Sequence, residues 1–107
     1  MARRKPYKLI YDPDVREQAL QIGRKYHSLI RREIEARLSY EHETETGNRK
    51  PLLRPSALGS AWELRCGPDN RFGVFYRTDR ARRQVHILAV GVKIRDRLVI
   101  GREEFDL

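Results

Sequence analysis

The hydrophobic residues of this 107-residue chain change their spacing about halfway along the sequence, and this change restricts the possible folds more than any other feature. Before residue 39, apolar side chains recur every three or four positions, as on one face of an α-helix. They are Val15, Ala19, Ile22 and Tyr26, followed by Leu29, Ile30, Ile34 and Leu38. From Trp62 onward the spacing becomes two, which is typical of strands with one buried face. The sequence therefore predicts helices first and strands afterwards.

The boundaries of the first elements are marked by turn-forming residues. A short β-prone run from Tyr7 to Tyr11 ends at Asp12, a suitable N-cap, and Pro13 suits the first position of a helix. Gly23 weakens the end of that helix. We predict two antiparallel helices joined near residues 25–28, with one bent helix as the alternative.

The second half contains three or four predicted strands. The stretch 40–60 lacks periodicity and is predicted to be a surface loop. Strands are then predicted at 62–66, 71–78, 84–90 and 98–100, with turns between them. This order predicts a single α+β domain over residues 1–107, arranged β-α-α-β-β-β-β. Its mostly antiparallel sheet would have four to five strands, with the two N-terminal helices packed on one face.

Positive charge is concentrated in one part of the chain. Lysine and arginine total 23 against 15 acidic residues, which gives a net charge of +8. Between Arg49 and Arg97 there are 12 basic and 4 acidic residues, and 12 − 4 = +8, so the remainder is neutral. Such a surface suits a polyanion, above all nucleic acid. An acidic partner protein and a solvated arginine-rich face are the alternatives.

Several classes of protein are disfavoured by the composition. There is no apolar run of the roughly 20 residues that cross a bilayer, and the basic N-terminus lacks the apolar region of a signal peptide. We therefore expect a cytoplasmic protein without membrane attachment. The single cysteine, Cys66, is expected to be a small buried thiol. The scattered histidines show no metal-ligand spacing, so neither a metal nor a cofactor is expected.

Four segments in the second half of the chain resemble a known family. They are NRKPL at 48–52, WELR at 62–65, NRFGVFY at 70–76 and HILAVGVK at 86–93. Together with the order of elements, they resemble the RelE/ParE superfamily of toxins from bacterial toxin–antitoxin pairs. The resemblance implies a compact α+β domain whose antiparallel sheet cradles two helices.

The resemblance also implies the toxin component of a type II toxin–antitoxin system. RelE-like members are ribosome-dependent endoribonucleases that cleave mRNA without a metal, by attack of a ribose 2′-OH on the adjacent phosphate. The implied partners are a cognate antitoxin whose acidic segment wraps the basic face, in a toxin–antitoxin hetero-oligomer, together with mRNA and the 16S rRNA of the ribosome. ParE-like members instead inhibit DNA gyrase, and a non-catalytic, toxin-derived binding protein is a third possibility.

The family motifs assign roles to several basic residues. By resemblance, Arg71 contacts the scissile phosphate and Lys93 occupies the place of a second catalytic cation, with Arg65 assisting. Arg49, Lys50 and Arg95 are the expected RNA-binding residues.

The expected proton-transfer groups are less well matched. Many RelE-like nucleases carry a tyrosine or a histidine–tyrosine pair after the Val-Gly turn, whereas residues 94–107 here contain neither. Glu63 and His86 remain as possible general acids or bases. Glu63 is equally well explained by a salt bridge, and His86 by a place within the sheet.

Overall fold

The computed structural model of the protein describes residues 5–40, 47, 49–52, 62–95, 97–101 and 103–106. The helices are α1 (Pro13–Leu20) and α2 (His27–Leu38). The strands are β1 (Lys8–Tyr11), β2 (Arg49–Pro51), β3 (Trp62–Cys66), β4 (Phe72–Asp79), β5 (Gln84–Ile94), β6 (Arg97–Ile100) and β7 (Glu103–Asp106). Short 3₁₀ turns lie at Arg24–Tyr26 and Pro68–Asn70.

The helical half of the chain forms two helices, as the hydrophobic spacing predicts. At the start of α1 the Asp14 backbone N–H donates to Oδ1 of Asp12 at 3.0 Å, and Pro13 occupies the first turn. A 3₁₀ turn after Gly23 separates α1 from α2, so the alternative of one bent helix is wrong. Within the described part of the chain, no helix is long and apolar enough to cross a membrane.

The sheet contains more strands than the sequence indicates. Its order is β2-β3-β4-β5-β6-β7 with antiparallel neighbours, and β1 pairs in parallel with β5. The described residues thus form seven strands, and the predicted count of four to five is wrong. The additional strands β2 and β7 are short and mostly charged, so they carry no hydrophobic alternation by which a strand is recognised. The rest of the predicted loop 40–60, at 41–46, 48 and 53–60, lies outside the described residues.

Both helices pack on one face of the sheet, which confirms the predicted layering. The core between them consists of Val15, Ile22, Ile30, Ile34 and Leu38 from the helical half, and Leu64, Cys66, Phe72, Val74, Tyr76, Val85, Ile87 and Val90 from the strands. Trp62 is partly buried against this core and stacks on Tyr76, with ring centroids 6.4 Å apart. Burial of apolar area on this side of the sheet is the main stabilising term of the fold.

A β-bulge in the middle of β5 changes which residues face the helices. Phe75 pairs with Ala89 but the next residue, Tyr76, pairs with Ile87, so Leu88 is an extra residue without a partner on β4. Before the bulge Val85 and Ile87 face the helices, and after it Val90 and Val92 do. The bulge therefore turns Ala89, Gly91 and Lys93 towards the opposite face.

Strand β5 is paired along one edge by β4 and along the other by two different strands. On that second edge β1 pairs with residues 84–87 and β6 with residues 91–94, which leaves a gap at residues 88–90. Helix α1 covers the gap, and Oε1 of Gln18 accepts the backbone N–H of buried Val90 at 2.9 Å. The Gln18 side chain thus accepts a hydrogen bond from the β5 backbone at a position where no strand pairs with that edge.

Replacement of Gln18 by methionine is expected to lower the free energy of unfolding by about 1–3 kcal/mol, because a buried backbone N–H loses its acceptor while side-chain volume is nearly retained. Chemical denaturation followed by circular dichroism measures the change. Gln21→Met, at the exposed end of the same helix, is the matched control and should change stability by less than about 0.5 kcal/mol. Equal losses in the two variants would contradict the role of Gln18.

Cys66 is a buried thiol, as the sequence predicts, and is 3% exposed. Burial, helped by the nearby charge of Glu33, raises the pKa of the Cys66 thiol to about 11. The folded state therefore disfavours the thiolate, which is the reactive form of cysteine.

The raised pKa gives a pH dependence with a definite sign. Between pH 9 and 11 the thiol ionises in the unfolded chain but stays protonated in the folded one. Stability is therefore lost as pH rises through this window. We expect wild type to lose about 1 kcal/mol more than Cys66→Ala between pH 8 and pH 10 in chemical denaturation. Identical pH profiles for the two proteins would refute the assignment.

Candidate nucleic-acid interface

The face of the sheet opposite the helices, called here the second face, carries most of the candidate functional residues. The register sets its members, because residues paired across strands project to the same side. One row runs from Lys50 through Glu63 and Phe75 to Ala89. The neighbouring row runs from Arg65 through Gly73 and Gly91 to Ile100.

Two glycines lie side by side in the second row. Gly73 pairs with Gly91, and Arg65 flanks the pair on β3. A methyl group on Gly73 would lie 3.2 Å from Oε2 of Glu63, and one on Gly91 would lie 2.8 Å from Cγ1 of Ile100. The missing side chains thus let polar and apolar groups from neighbouring strands approach the backbone closely.

The three predicted catalytic cations meet at this end of the second face. Arg65 is one strand spacing, about 4.8 Å, from Gly73, and Lys93 is two residues, about 7 Å, beyond Gly91. Arg71 is joined to Lys93 by a backbone hydrogen bond of 2.7 Å, in which the Lys93 N–H donates. The side chains of Arg71 and Lys93 are exposed and that of Arg65 is half-buried. The backbone positions of the three residues are thus close enough for side chains as long as those of arginine and lysine to contact one anion.

Two further predicted RNA-binding residues lie beside this cluster. Lys50 is exposed on β2 opposite Glu63, and Arg95 is exposed in the turn between β5 and β6. Arg95 has a φ of 57°, a left-handed conformation that costs a non-glycine residue about 1 kcal/mol or more. Both residues extend the positive surface at the edges of the cluster.

Arg49 does not have the surface role predicted from the sequence. It is 2% exposed, and its Nη1 donates to the backbone carbonyl of Arg37 near the end of α2 at 3.0 Å. The reason is register, because Arg49 pairs with Leu64, whose side chain is fully buried towards the helices. Arg49 therefore ties β2 to α2 and is not available to a ligand on the second face.

The two predicted proton-transfer groups are in different places. Oε1 of Glu63 accepts from Nε of Arg65 at 3.2 Å, so the salt-bridge interpretation of Glu63 describes its state in this structure. His86 is half-buried within β5, and its Nε2 lies 3.1 Å from Oε1 of Gln84. It is five residues, about 15 Å, from Gly91. A general acid or base must lie within hydrogen-bonding reach, so His86 cannot act on an anion at the glycine pair.

Sequence reasoning missed two features of the second face. One is Arg77, which is exposed on β4 opposite His86 and continues the positive surface towards the β4–β5 hairpin. The other is the pairing of Gly73 with Gly91. The alternation of β4 gives a signal for Arg77, whereas the glycine pair depends on the register between two strands.

No metal-binding arrangement is found in the part of the chain that the structure describes, since no three histidine, cysteine, aspartate or glutamate side chains converge there. What converges on the second face is positive charge. An arrangement of this kind binds phosphate groups and stabilises charge that develops on them.

Comparison with solved structures gives a match to the crystal structure of the toxin–antitoxin complex RelBE2 from Mycobacterium tuberculosis. The TM-score is 0.64 and the sequence identity 19%, over 87% of this chain and 98% of the matched one. No protein-family model matches the chain, and no curated protein is similar to it in sequence. The structural likeness establishes the fold, which is the RelE-like α+β fold that the motifs predict.

The difference in burial between Arg49 and Lys50 predicts a difference in their contributions to stability. Arg49→Leu should lower the free energy of unfolding by about 1.5–3 kcal/mol, because a hydrogen bond from a buried charged group to the α2 carbonyl is lost. Lys50→Leu, one residue along the same strand but exposed, should change it by less than about 0.5 kcal/mol. Denaturant unfolding of both variants tests this difference. A stable Arg49→Leu protein would return Arg49 to the candidate ligand-binding residues.

Proposed function

We propose that this protein is the toxin of a type II toxin–antitoxin module and acts as a ribosome-dependent endoribonuclease on mRNA. The observation that carries the proposal is the gathering of Arg65, Arg71 and Lys93 around the Gly73–Gly91 pair. The likeness of the fold to a chain of the RelBE2 toxin–antitoxin complex supports the same assignment.

The chemistry would use the cations in place of a metal ion. Attack of a deprotonating ribose 2′-OH on the adjacent phosphate breaks the bond to the 5′-oxygen of the next nucleotide, which leaves protonated, and a cyclic phosphate remains. The step builds negative charge on the phosphate oxygens, and positioned cations stabilise that charge. In this mechanism Arg71 and Lys93 hold the scissile phosphate and Arg65 assists them. Lys50 and Arg95 hold the RNA backbone on either side, in contact with mRNA or 16S rRNA.

The proposed partners follow from the charge of the second face. A cognate antitoxin with an acidic segment would cover the positive cluster in a hetero-oligomer and so block access of RNA. Such binding also stabilises the folded toxin by mass action. With mRNA and the ribosome as targets, the proposed activity is cytoplasmic.

One observation favours a second candidate, a ParE-like inhibitor of DNA gyrase. Among the described side chains, Glu63 is engaged by Arg65 and His86 is about 15 Å from the glycine pair, so neither is placed as an unengaged base. Inhibition of gyrase needs a binding surface but no proton transfer. A toxin-derived binding protein without catalysis has the same requirement.

The test is to induce the protein in bacteria and map mRNA 5′ ends with and without active translation. Wild type should produce translation-dependent cuts. Arg71→Ala should reduce the cutting rate by about 10²–10³-fold, the effect of removing one group that stabilises transition-state charge. Arg82→Ala is the matched control, because Arg82 lies in the β4–β5 hairpin with a side chain that is 77% exposed, and it should cut at the wild-type rate.

The other outcomes separate the candidates. Growth arrest with intact messages and a DNA-damage response would overturn the ribonuclease proposal in favour of gyrase. Normal growth with intact messages would leave only the non-catalytic binding protein.

A further inference from the structure

The Glu63 carboxylate lies between Arg65 and Gly73 on the second face. Its Oε1 accepts from Nε of Arg65 at 3.2 Å, and its Oε2 lies 3.2 Å from the position that a methyl group on Gly73 would take. The Glu63 side chain is only 13% exposed and that of Arg65 is 30% exposed. One carboxylate oxygen therefore pairs with the cation, while the other shares the space above the glycine with the ring of Phe75, which lies 3.3 Å from the same position.

This carboxylate lowers the positive charge at the centre of the cluster. Asp79 is the other carboxylate that the register places on the second face among the described side chains, and it lies 3.9 Å from Arg82 at the hairpin end. Phe75, which pairs with Glu63, is four residues from Asp79 on β4, about 14 Å. That distance exceeds the screening length of about 8 Å at physiological ionic strength. Of these two carboxylates, Glu63 is the one close enough to act on the cations at the glycine pair.

We propose that Glu63 is a built-in competitor for an anion subsite at Arg65, beside Gly73, and that it limits how tightly the second face binds the phosphates of a polyanion. The inference rests on the proposed function in taking RNA as that polyanion. An incoming phosphate displaces the carboxylate from Arg65 and takes its place over Gly73. Glu63 is accordingly a specificity-determining residue, and it rejects anions that gain too few additional contacts to offset the lost ion pair.

The effect of neutralising Glu63 on RNA binding distinguishes this role from proton transfer. If Glu63 competes with phosphate, its neutralisation strengthens RNA binding. If it is a general base, the same change leaves binding in place and removes cleavage. If the ion pair only supports the strand, the change affects stability and leaves RNA binding unaltered.

The experiment measures binding of a fluorescent single-stranded RNA hexanucleotide by anisotropy over a range of salt concentrations. The RNA is 2′-O-methylated, so it cannot be cleaved by 2′-OH attack. Glu63→Gln is expected to bind about three- to tenfold more tightly than wild type at low salt. The slope of log K against log salt should become steeper by about 0.7, as for one more phosphate neutralised on a single strand.

Two further variants make the result specific. Asp79→Asn removes one negative charge from the same face at its far end and should give less than half of the gain in affinity, with the slope unchanged. In an Arg65→Gln background, Glu63→Gln should lose most of its effect, because the two residues act on the same subsite. Thermal unfolding of each protein verifies that the variants are folded.

The outcomes separate this inference from the proposed function. Unchanged or weaker binding by Glu63→Gln, an equal gain in Asp79→Asn, or no RNA binding by wild type and Glu63→Gln alike would each overturn the inference. Tighter binding by Glu63→Gln supports it even where wild type fails to cut messages in cells, a result that overturns only the ribonuclease proposal.

Discussion

The extra residue Leu88 determines on which side of the sheet the candidate functional residues at the end of β5 lie. Strand β5 alternates in and out of the core, and without the bulge Ala89, Gly91 and Lys93 would continue the side of Val85 and Ile87 and point into the helices. With it, the valines at 90 and 92 take the buried side, and Lys93 reaches the face that also carries Arg65. One residue inserted into a ladder thus keeps a cation out of the core and completes a surface of positive charge.

On that surface, repulsion between neighbouring cations is opposed by the attraction of a carboxylate. Several cations held close together repel one another, and a cluster of this kind persists in a folded protein because a partner, an internal carboxylate or water offsets the repulsion. Here Glu63 supplies part of the offset at Arg65, while Arg71 and Lys93 extend into solvent. The glycine pair contributes by leaving room beside the backbone, which the carboxylate of Glu63 and the side chain of Ile100 occupy in this structure.

Much of the architecture could be predicted from the amino-acid sequence because hydrophobic spacing reflects burial directly. Helices α1 and α2 and strands β3, β4 and β5 each bury one side, and their residues show it. Strands β2 and β7 could not be predicted, since short and mostly charged segments show no hydrophobic alternation. The surface cations at 65, 71 and 93 were identified through family motifs, whereas the burial of Arg49 depends on a pairing with Leu64 that no local pattern records. The distance of about 15 Å between His86 and Gly91 follows from five residues along β5, whereas the pairing of Gly91 with Gly73 depends on the register between β4 and β5.

The parallel pairing of β1 with β5 has a consequence for how the chain folds. Lys8 pairs with Gln84, so β1 lies against a strand that follows some 76 positions later in the chain. Closing so long a loop costs conformational entropy before the contacts between the two segments contribute stability, and such contacts slow folding. Until β5 has been made, α1 has no sheet to cover and Gln18 has no Val90 to bind. The native state is therefore accessible only after β5 has been synthesised, and nascent fragments that end before residue 84 expose the apolar sides of both helices.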